Sequence, residues 1–188
     1  MNMSEEQAMI YETDRLYFRG LCKADIDGPY LHWFNDQEVC RFNSHGRFPS
    51  TRKKMQMYID MLQTSESHLV WAVIEKGSDN HIGNIALQTI DRVNRSAEFA
   101  IVMGDKSCWG KGYALESAKT IIDHGFRKLG LHRVYCGTSE NNLGMIKLAG
   151  RLGMRQEGVR CEALFENGSF VNAVEFGLLK GDLNSGNS

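Results

Sequence analysis

The residues best suited to chemistry form a short run, Trp-Gly-Lys-Gly-Tyr-Ala, at positions 109–114. Its two glycines allow a tight turn and leave room for a ligand to approach the main chain. The run stands between residues 97–103, which alternate like a strand, and an apolar-periodic segment typical of a helix. A helix begins with unpaired N–H groups and a partial positive charge, so this turn predicts a binding site for a pyrophosphate.

Spacing argues against two common phosphate-binding motifs. The nucleotide P-loop has four residues between its first glycine and a Gly-Lys-Ser/Thr sequence. Here five residues separate Gly104 from Gly110, and Gly112 follows Lys111. The dinucleotide fingerprint would need a third glycine at position 115, which is Leu115. A strand-to-helix turn without any ligand is the plain structural alternative.

The run resembles the Gln/Arg-x-x-Gly-x-Gly/Ala loop of the GNAT superfamily of acyl-CoA N-acetyltransferases. Gly112 and Ala114 match that loop, whereas Trp109 stands where Gln or Arg is usual. The form Trp-Gly-Lys-Gly-Tyr-Ala is similar to the branch named for the ribosomal-protein acetyltransferases RimJ and RimL. As in the family, a predicted strand at residues 132–138 leads to Asn142, which opens a helical segment. The resemblance extends over residues 13–179.

This resemblance implies an α/β (α+β mixed) fold, a single GNAT-type domain whose mostly antiparallel sheet contains a splayed parallel strand pair. It also implies acetyl-CoA as the acetyl donor, with no metal. Main-chain groups in the gap between the splayed strands would bind the pantetheine arm, which makes Ile101, Val102 and Met103 candidate contacts. The other candidates for the donor site are Trp109, Gly110, Lys111, Gly112, Tyr113, Ala114, Asn142 and Lys147. For Asn142 the structural alternative is a helix N-cap.

Acetyl transfer to nitrogen needs a neutral amine, because a protonated amine has no lone pair. A lysine-like amine with a pKa of about 10.4 is neutral in only about one molecule in a few thousand at pH 7. Glu98 alternates with Ala100 and Val102 on the predicted strand, and many family members carry a catalytic Glu there. The resemblance therefore implies that Glu98 is a general base, acting directly or through water. A structural carboxylate paired with Arg92 or Arg95 is the alternative.

The proton donor for the leaving thiolate departs from the family pattern. The position of the usual tyrosine is Ala149, and the serine of RimL-like members falls on Met145. Neither residue can donate a proton. Tyr135 or Tyr113 could replace the usual proton donor, but no sequence pattern places either of them near the thioester. A thiolate that is stabilised only by N–H groups or water is a further option.

The acceptor site of the family is built from the first two helices, their loop and the last strands. On this chain the resulting candidates are Trp33, Asn35, Phe42 and Asn43. Residues 42–48 also resemble acetyltransferases of nucleotide-linked amino sugars. We expect direct transfer of the acetyl group to a small amine or a nucleotide-linked amino sugar. A protein N-terminus ranks second as the acceptor. A non-catalytic acyl-CoA-binding or regulatory module is the competing class, because the usual acids are absent.

Length and composition agree with one small N-acetyltransferase domain, residues 1–180, followed by a polar tail, residues 181–188, that we expect to be disordered. The net charge of −1 over 188 residues does not favour nucleic acid. Five cysteines without a Cys-x-x-Cys pair predict reduced thiols and a cytoplasmic protein, and no segment resembles a signal peptide or a membrane span. The six histidines lack metal-ligand spacing. We expect a monomer or homodimer.

Apolar periodicity places the elements that must position these residues. Helices are predicted over residues 24–34, 52–63 and 142–153, together with a long helix from Ala114 that ends at Gly130. Strands are predicted at residues 16–18, 69–75, 81–90, 97–103 and 132–138. Since the long helix connects the last two of these strands, they should pair in parallel.

Overall fold

The computed structural model describes residues 8–184, and this part of the chain contains eight strands and four α-helices. The strands are β1 (Met9–Glu12), β2 (Leu16–Gly20), β3 (Leu69–Glu75), β4 (Asn80–Asp91), β5 (Ser96–Met103), β6 (Arg133–Ser139), β7 (Arg155–Glu166) and β8 (Ser169–Leu179). The helices are α1 (Tyr30–Trp33), α2 (Arg52–Leu62), α3 (Tyr113–Arg127) and α4 (Leu143–Arg151). None of the helices in this range is long and apolar enough to cross a membrane.

All eight strands belong to one sheet, in the order β1-β2-β3-β4-β5-β6-β8-β7. Neighbouring strands are antiparallel except β5 and β6, which are parallel. The parallel pair arises because α3 carries the chain back to the start of β5 before β6 begins. The predicted fold class, a mostly antiparallel sheet with one parallel pair and flanking helices, is confirmed.

The parallel pair is short, and the two strands then separate. Its register joins Ser96 to Arg133, Ala97 to Val134 and Glu98 to Tyr135. Beyond this point β5 continues to Met103 beside β4, while β6 continues to Ser139 beside β8. Residues 99–103 therefore have no partner on the β6 side within the described structure. The predicted splay is present, and it begins directly after Glu98.

Alternation along β5 divides its side chains between two cores. Ala97 and Phe99 are buried in a cluster with residues of α3 and α4, including Phe126 and Ala149. Val102 packs instead against a second cluster on the other face, which contains residues of α1 and α2. Because successive strand side chains point to opposite faces, Glu98 and Ala100 lie on the same face as Val102, beneath α1 and α2.

The helix predicted over residues 24–34 is interrupted. Lys23–Asp27 forms a 3-10 helix that ends at Gly28, and the four-residue α1 begins after Pro29. Proline has no N–H to donate and disfavours a helical conformation at the residue before it, so the Gly-Pro step ends the first turn. The apolar pattern misses β1, which has only four residues.

The C-terminal end also differs in part from the expectation of disorder. Lys180–Asn184 forms a 3-10 helix after β8, and residues 185–188 of the predicted tail lie outside the described residues. The division of the chain at residue 180 stays a prediction.

One close contact fixes α1 against the end of β5. A Cβ built on Gly104 would fall inside the indole of Trp33, so we expect Gly104→Ala to lower the free energy of unfolding by about 1–3 kcal/mol. Gly77→Ala is the matched control, because a Cβ at Gly77 meets no atom within 4 Å. Urea unfolding of both variants tests the packing, and a Gly104→Ala protein as stable as the control would contradict it.

Candidate active site

The loop between β5 and α3 has the backbone geometry of an anion site. Gly110 and Gly112 have φ angles of 75° and 84°, in the left-handed region that glycine tolerates best. Gly112 is the N-cap of α3 and contributes no side-chain cap. The N–H groups in the first turn of α3 are therefore open to a ligand, and the helix dipole favours a negative one.

The side chain of Trp109 closes this loop back onto the strand before it. Its indole N–H donates a hydrogen bond to the carbonyl of Met103 at 2.8 Å. The indole is 41% exposed, so it borders the mouth of the split between β5 and β6. The position that is usually Gln or Arg in the family is thus occupied here by a side chain that fixes the loop to the end of β5.

Arg15, at the start of the chain, is a neighbour of the glycine loop that the sequence analysis did not identify. Its guanidinium lies 4.5 Å from the centre of the Tyr113 ring and donates to the carbonyl of Lys111 at 2.9 Å. It also pairs with Glu116 at 2.6 Å. The Arg15–Glu116 ion pair therefore lies beside the open N–H groups. No local signal could have found it, since about a hundred residues separate Arg15 from the loop.

The candidates for the pantetheine arm follow the open edge of β5. Ile101 and Met103 pack towards the α3 core, while Val102 points to the opposite face. Their side chains are thus used for packing. Alternation along β5 turns the main-chain groups of Ile101 and Met103 towards the gap and those of Val102 towards β4. Ala114 packs against the same core from the first turn of α3, and Lys147 is exposed on α4.

Asn142 links α4 to the other edge of the split. Its side-chain oxygen accepts a hydrogen bond from the N–H of Met145 at 3.1 Å, which makes it the N-cap of α4. Its amide nitrogen donates to the hydroxyl of Thr138 on β6 at 3.0 Å. The structural alternative for Asn142 is therefore observed. One amide hydrogen remains for a further contact.

Glu98 lies on the last paired rung, where the split closes. It is half-buried, and one carboxylate oxygen accepts a hydrogen bond from the amide of Gln88 on β4 at 3.1 Å. Neither arginine of the structural alternative pairs with it: Arg92 pairs with Glu66, and Arg95 donates to the carbonyl of Gly130. Gln88 was not identified from sequence, because its role depends on the β4–β5 register.

A cavity of about 530 Å³ opens beside Glu98. Its lining includes Tyr135, Glu175 and Arg160, and Arg160 donates to Glu175 at 2.7 Å. Burial and the negative charge of Glu98 both raise the pKa of Tyr135, so its phenol stays protonated at neutral pH. Tyr113 is held elsewhere, since its hydroxyl donates to Glu75 at 2.5 Å. Tyr135 is thus the tyrosine of the two that shares a cavity with Glu98.

A second cleft, of about 360 Å³, lies over β4 and β5 on the same face of the sheet. It is lined by aromatic side chains of α1 and α2 and by the strand residues Asn84, Ala86, Gln88 and Ala100. The hydrogen bond from Gln88 to Glu98 joins the linings of the two cavities. An acceptor amine at Glu98 would therefore have space on either side.

The four predicted acceptor contacts divide into one cavity residue and three residues with structural roles. Phe42 lines the cavity beside Glu98. Trp33 is only 5% exposed and packs into the α1 core. The Asn35 amide exchanges hydrogen bonds with the backbone of Ser50, and the Asn43 amide bonds to backbone groups of its own loop. For these three acceptor contact stays a prediction, and in this structure their groups are used for packing and loop geometry.

Comparison with known proteins agrees with this geometry. Residues 15–155 match the family model described as Acetyltransferase (GNAT) domain. An uncharacterized N-acetyltransferase of Bacillus licheniformis, p20, is 30% identical over 171 residues, which cover 89% of this chain and 94% of that protein. Spermidine N(1)-acetyltransferase of Escherichia coli K12 is 35% identical over 92 residues, 49% of each chain.

Solved structures show the same fold. Spermidine N-acetyltransferase from Vibrio cholerae, in complex with CoA and spermine, aligns with a TM-score of 0.82 at 22% identity, over 90% of this chain and 98% of that one. RimL, a ribosomal L7/L12 alpha-N-protein acetyltransferase in complex with coenzyme A, aligns with a TM-score of 0.81 at 16% identity, over 92% and 98% of the two chains.

The glycine loop can be tested directly. Gly112→Asp puts a side chain and a negative charge at the open end of α3, so acetyl-CoA affinity should fall by at least about tenfold, as expected for a lost charge-assisted contact. Gly153→Asp is the matched control, since Gly153 has a φ of 77°, also left-handed, but follows α4. Calorimetry on folded protein gives the affinities. Equal affinity in both variants would remove the loop from the donor site.

Proposed function

Since this chain is a member of the GNAT acetyltransferase family and an acetyl-CoA-dependent N-acetyltransferase, we propose that it transfers acetyl directly to the primary amine of a small molecule, with Glu98 as the base. The observation that carries this proposal is the position of Glu98. It occupies the last paired rung of β5 and β6, half-buried, and lines a cavity that opens beside the split. A carboxylate there can accept a proton from an amine or from a water bound to it.

The donor would lie along the open edge of β5. The pyrophosphate would bind the N–H groups at Gly110, Gly112 and the start of α3, beside Arg15. From there residues 99–103 span about 16 Å of strand towards Glu98. Apart from the Met103 carbonyl, which accepts from Trp109, their main-chain groups on the β6 side are free to bind the amide groups of the pantetheine arm, which would bring the thioester close to Glu98.

Tyr135 is our candidate for the proton donor. Ala149, at the position of the usual tyrosine, is buried in the core of the domain and has no proton to give. Tyr135 faces the cavity with Glu98, and its raised pKa keeps the phenol protonated. In the transfer, the amine gives up its proton to Glu98 as the C–N bond forms, and the thiolate released by C–S cleavage takes a proton from Tyr135 or its water.

Direct transfer needs no acyl-enzyme, and the buried cysteines near the site are poor nucleophiles. Burial raises the pKa of Cys136 on β6 to about 12. Burial also raises the pKa of Cys108, which precedes the glycine loop. Because the thiolate is the reactive form, neither residue is suited to accept the acetyl group. These reduced thiols also support a cytoplasmic protein.

A small acceptor suits the dimensions and the charge of the site. Cavities of about 530 and 360 Å³ are of the size that binds small molecules. Glu98 and Glu175 line the first of them, and Arg160 is paired with Glu175, so the net charge attracts an ammonium group. We rank a small amine or a nucleotide-linked amino sugar ahead of a protein N-terminus. The names of the spermidine and ribosomal-protein acetyltransferases agree with an amine acceptor.

Substitution of Glu98 tests the base. Glu98→Gln keeps the shape but cannot accept a proton, so kcat should fall by roughly 10²–10⁴-fold at neutral pH, while the KM for acetyl-CoA changes little. The loss should shrink as the pH rises, because more of the amine is then neutral without a base. A pH–rate profile for both proteins measures this.

Glu175→Gln provides the comparison within the same cavity. It removes the same charge from a residue outside the β5–β6 rung, so it should raise the KM for the amine more than it lowers kcat. If Glu98→Gln behaves like Glu175→Gln, or turns over normally at pH 7, Glu98 is not the base.

A further inference from the structure

The second cleft has a chemical character of its own, and we propose that it binds an uncharged planar ring carried by the acceptor amine. We call it the ring cleft and define it by Tyr30, Tyr58, Asn84, Ala86 and Ala100. This inference rests on the proposed function, since it requires the reactive amine to lie at Glu98.

Two alanines form the floor of the ring cleft. Ala86 on β4 and Ala100 on β5 are direct partners in the antiparallel register, so their methyl groups lie side by side on the same face of the sheet. The next pair along this face is Gln88 and Glu98. A small, flat floor therefore adjoins the proposed base, with room above it that larger side chains would fill.

Aromatic side chains form the walls. Tyr30 and Phe34 come from the α1 region, their ring centres 5.2 Å apart at 85°, and Tyr58 comes from α2. Tyr30 is almost fully buried, which fixes its ring in place. Aromatic rings attract another ring in stacked or edge-to-face arrangements beyond the effect of buried area. These walls suit a planar group better than a flexible chain.

The charge of the lining disfavours a cationic tail. No Asp or Glu is present among the described residues that line the ring cleft, and Lys54 contributes a cation. Burial lowers the pKa of His45, so that this imidazole is neutral at physiological pH. The cavity on the other side of Glu98 carries two carboxylates instead. A second ammonium group would therefore be repelled by Lys54 and meet no carboxylate among the described lining residues, whereas Lys54 does not repel a neutral ring.

A buried amide adds a specific contact. The Nε2 atom of His81 lies 3.0 Å from the carbonyl of Gly83, which can only accept, so Nε2 carries the hydrogen. The same Nε2 lies 2.8 Å from the Asn84 side chain, which must present its oxygen. The amide nitrogen of Asn84 has no hydrogen-bond partner among the described residues, although Asn84 is only 7% exposed. It can donate to an oxygen on the ring.

The test compares acceptors of similar reactivity in steady-state kinetics. Phenylethylamine and tyramine carry a neutral ring, butylamine has none, and spermidine carries further cations. For the wild-type enzyme, kcat/KM should be at least about tenfold higher for phenylethylamine and tyramine than for butylamine, as expected for burial of a ring. Equal values for phenylethylamine and butylamine would overturn the ring cleft, whereas the value for spermidine reports on the cavity that contains Glu98 and Glu175.

Variants locate the preference. Ala100→Leu fills the floor and should remove the preference for ring amines. Ala163→Leu makes the same change at an exposed position of β7, and this variant should keep the preference for ring amines. Should Ala100→Leu fail to fold, Tyr58→Leu removes a wall and should have the same effect. A ring preference that survives in a folded cleft variant would contradict the proposal.

Failure of the proposed function is distinguishable from failure of the ring cleft. If no amine is acetylated, the proposal of acetyl transfer fails. Calorimetry of tyramine binding in the presence of CoA then tests whether the cleft binds a neutral ring. Binding that is weakened by Ala100→Leu but not by Ala163→Leu would support the ring cleft on its own. Absence of tyramine binding to the wild-type protein would overturn it.

Discussion

The early end of the hydrogen bonds between β5 and β6 is the constraint on which the site depends. The two strands pair over three rungs and separate after Glu98 and Tyr135, although each stays paired with its other neighbour beyond this point. Unpaired backbone groups inside a fold are costly unless a partner satisfies them. The open edge is tolerable because a ligand or water can bind there, and it creates main-chain binding groups that do not depend on side-chain identity.

The same separation organises the chemistry around one point. The glycine loop and α3 follow the open end of β5, so the backbone geometry suited to an anion lies at the mouth of the split, while Glu98 lies at its apex. Strand alternation places Glu98 on the face covered by α1 and α2, and the packing of α3 and α4 closes the other face. Donor and acceptor would thus meet where the strands part. The ring cleft would lie on one side of Glu98, and the cavity that contains Glu175 would lie on the other.

Features within one continuous segment were predictable from the sequence, whereas features that join distant segments were not. The glycine turn, the apolar face of α3 and the parallel pair follow from local patterns and a crossover rule, and all three are present. Arg15 and Gln88 were missed because their neighbours are set by tertiary contacts and register. The family resemblance gives Trp33 as an acceptor contact, whereas its burial against Gly104 depends on tertiary packing that no local pattern predicts.

The most direct measurement is amide hydrogen exchange, resolved by residue, with and without coenzyme A. If the open edge of β5 binds the pantetheine arm, exchange should slow at main-chain amides of residues 99–103 and at the turn around Gly110 and Gly112, with much smaller changes in β1 and β2. Binding of coenzyme A that leaves the exchange of residues 99–103 unchanged would contradict the account, because the donor would then lie outside the split.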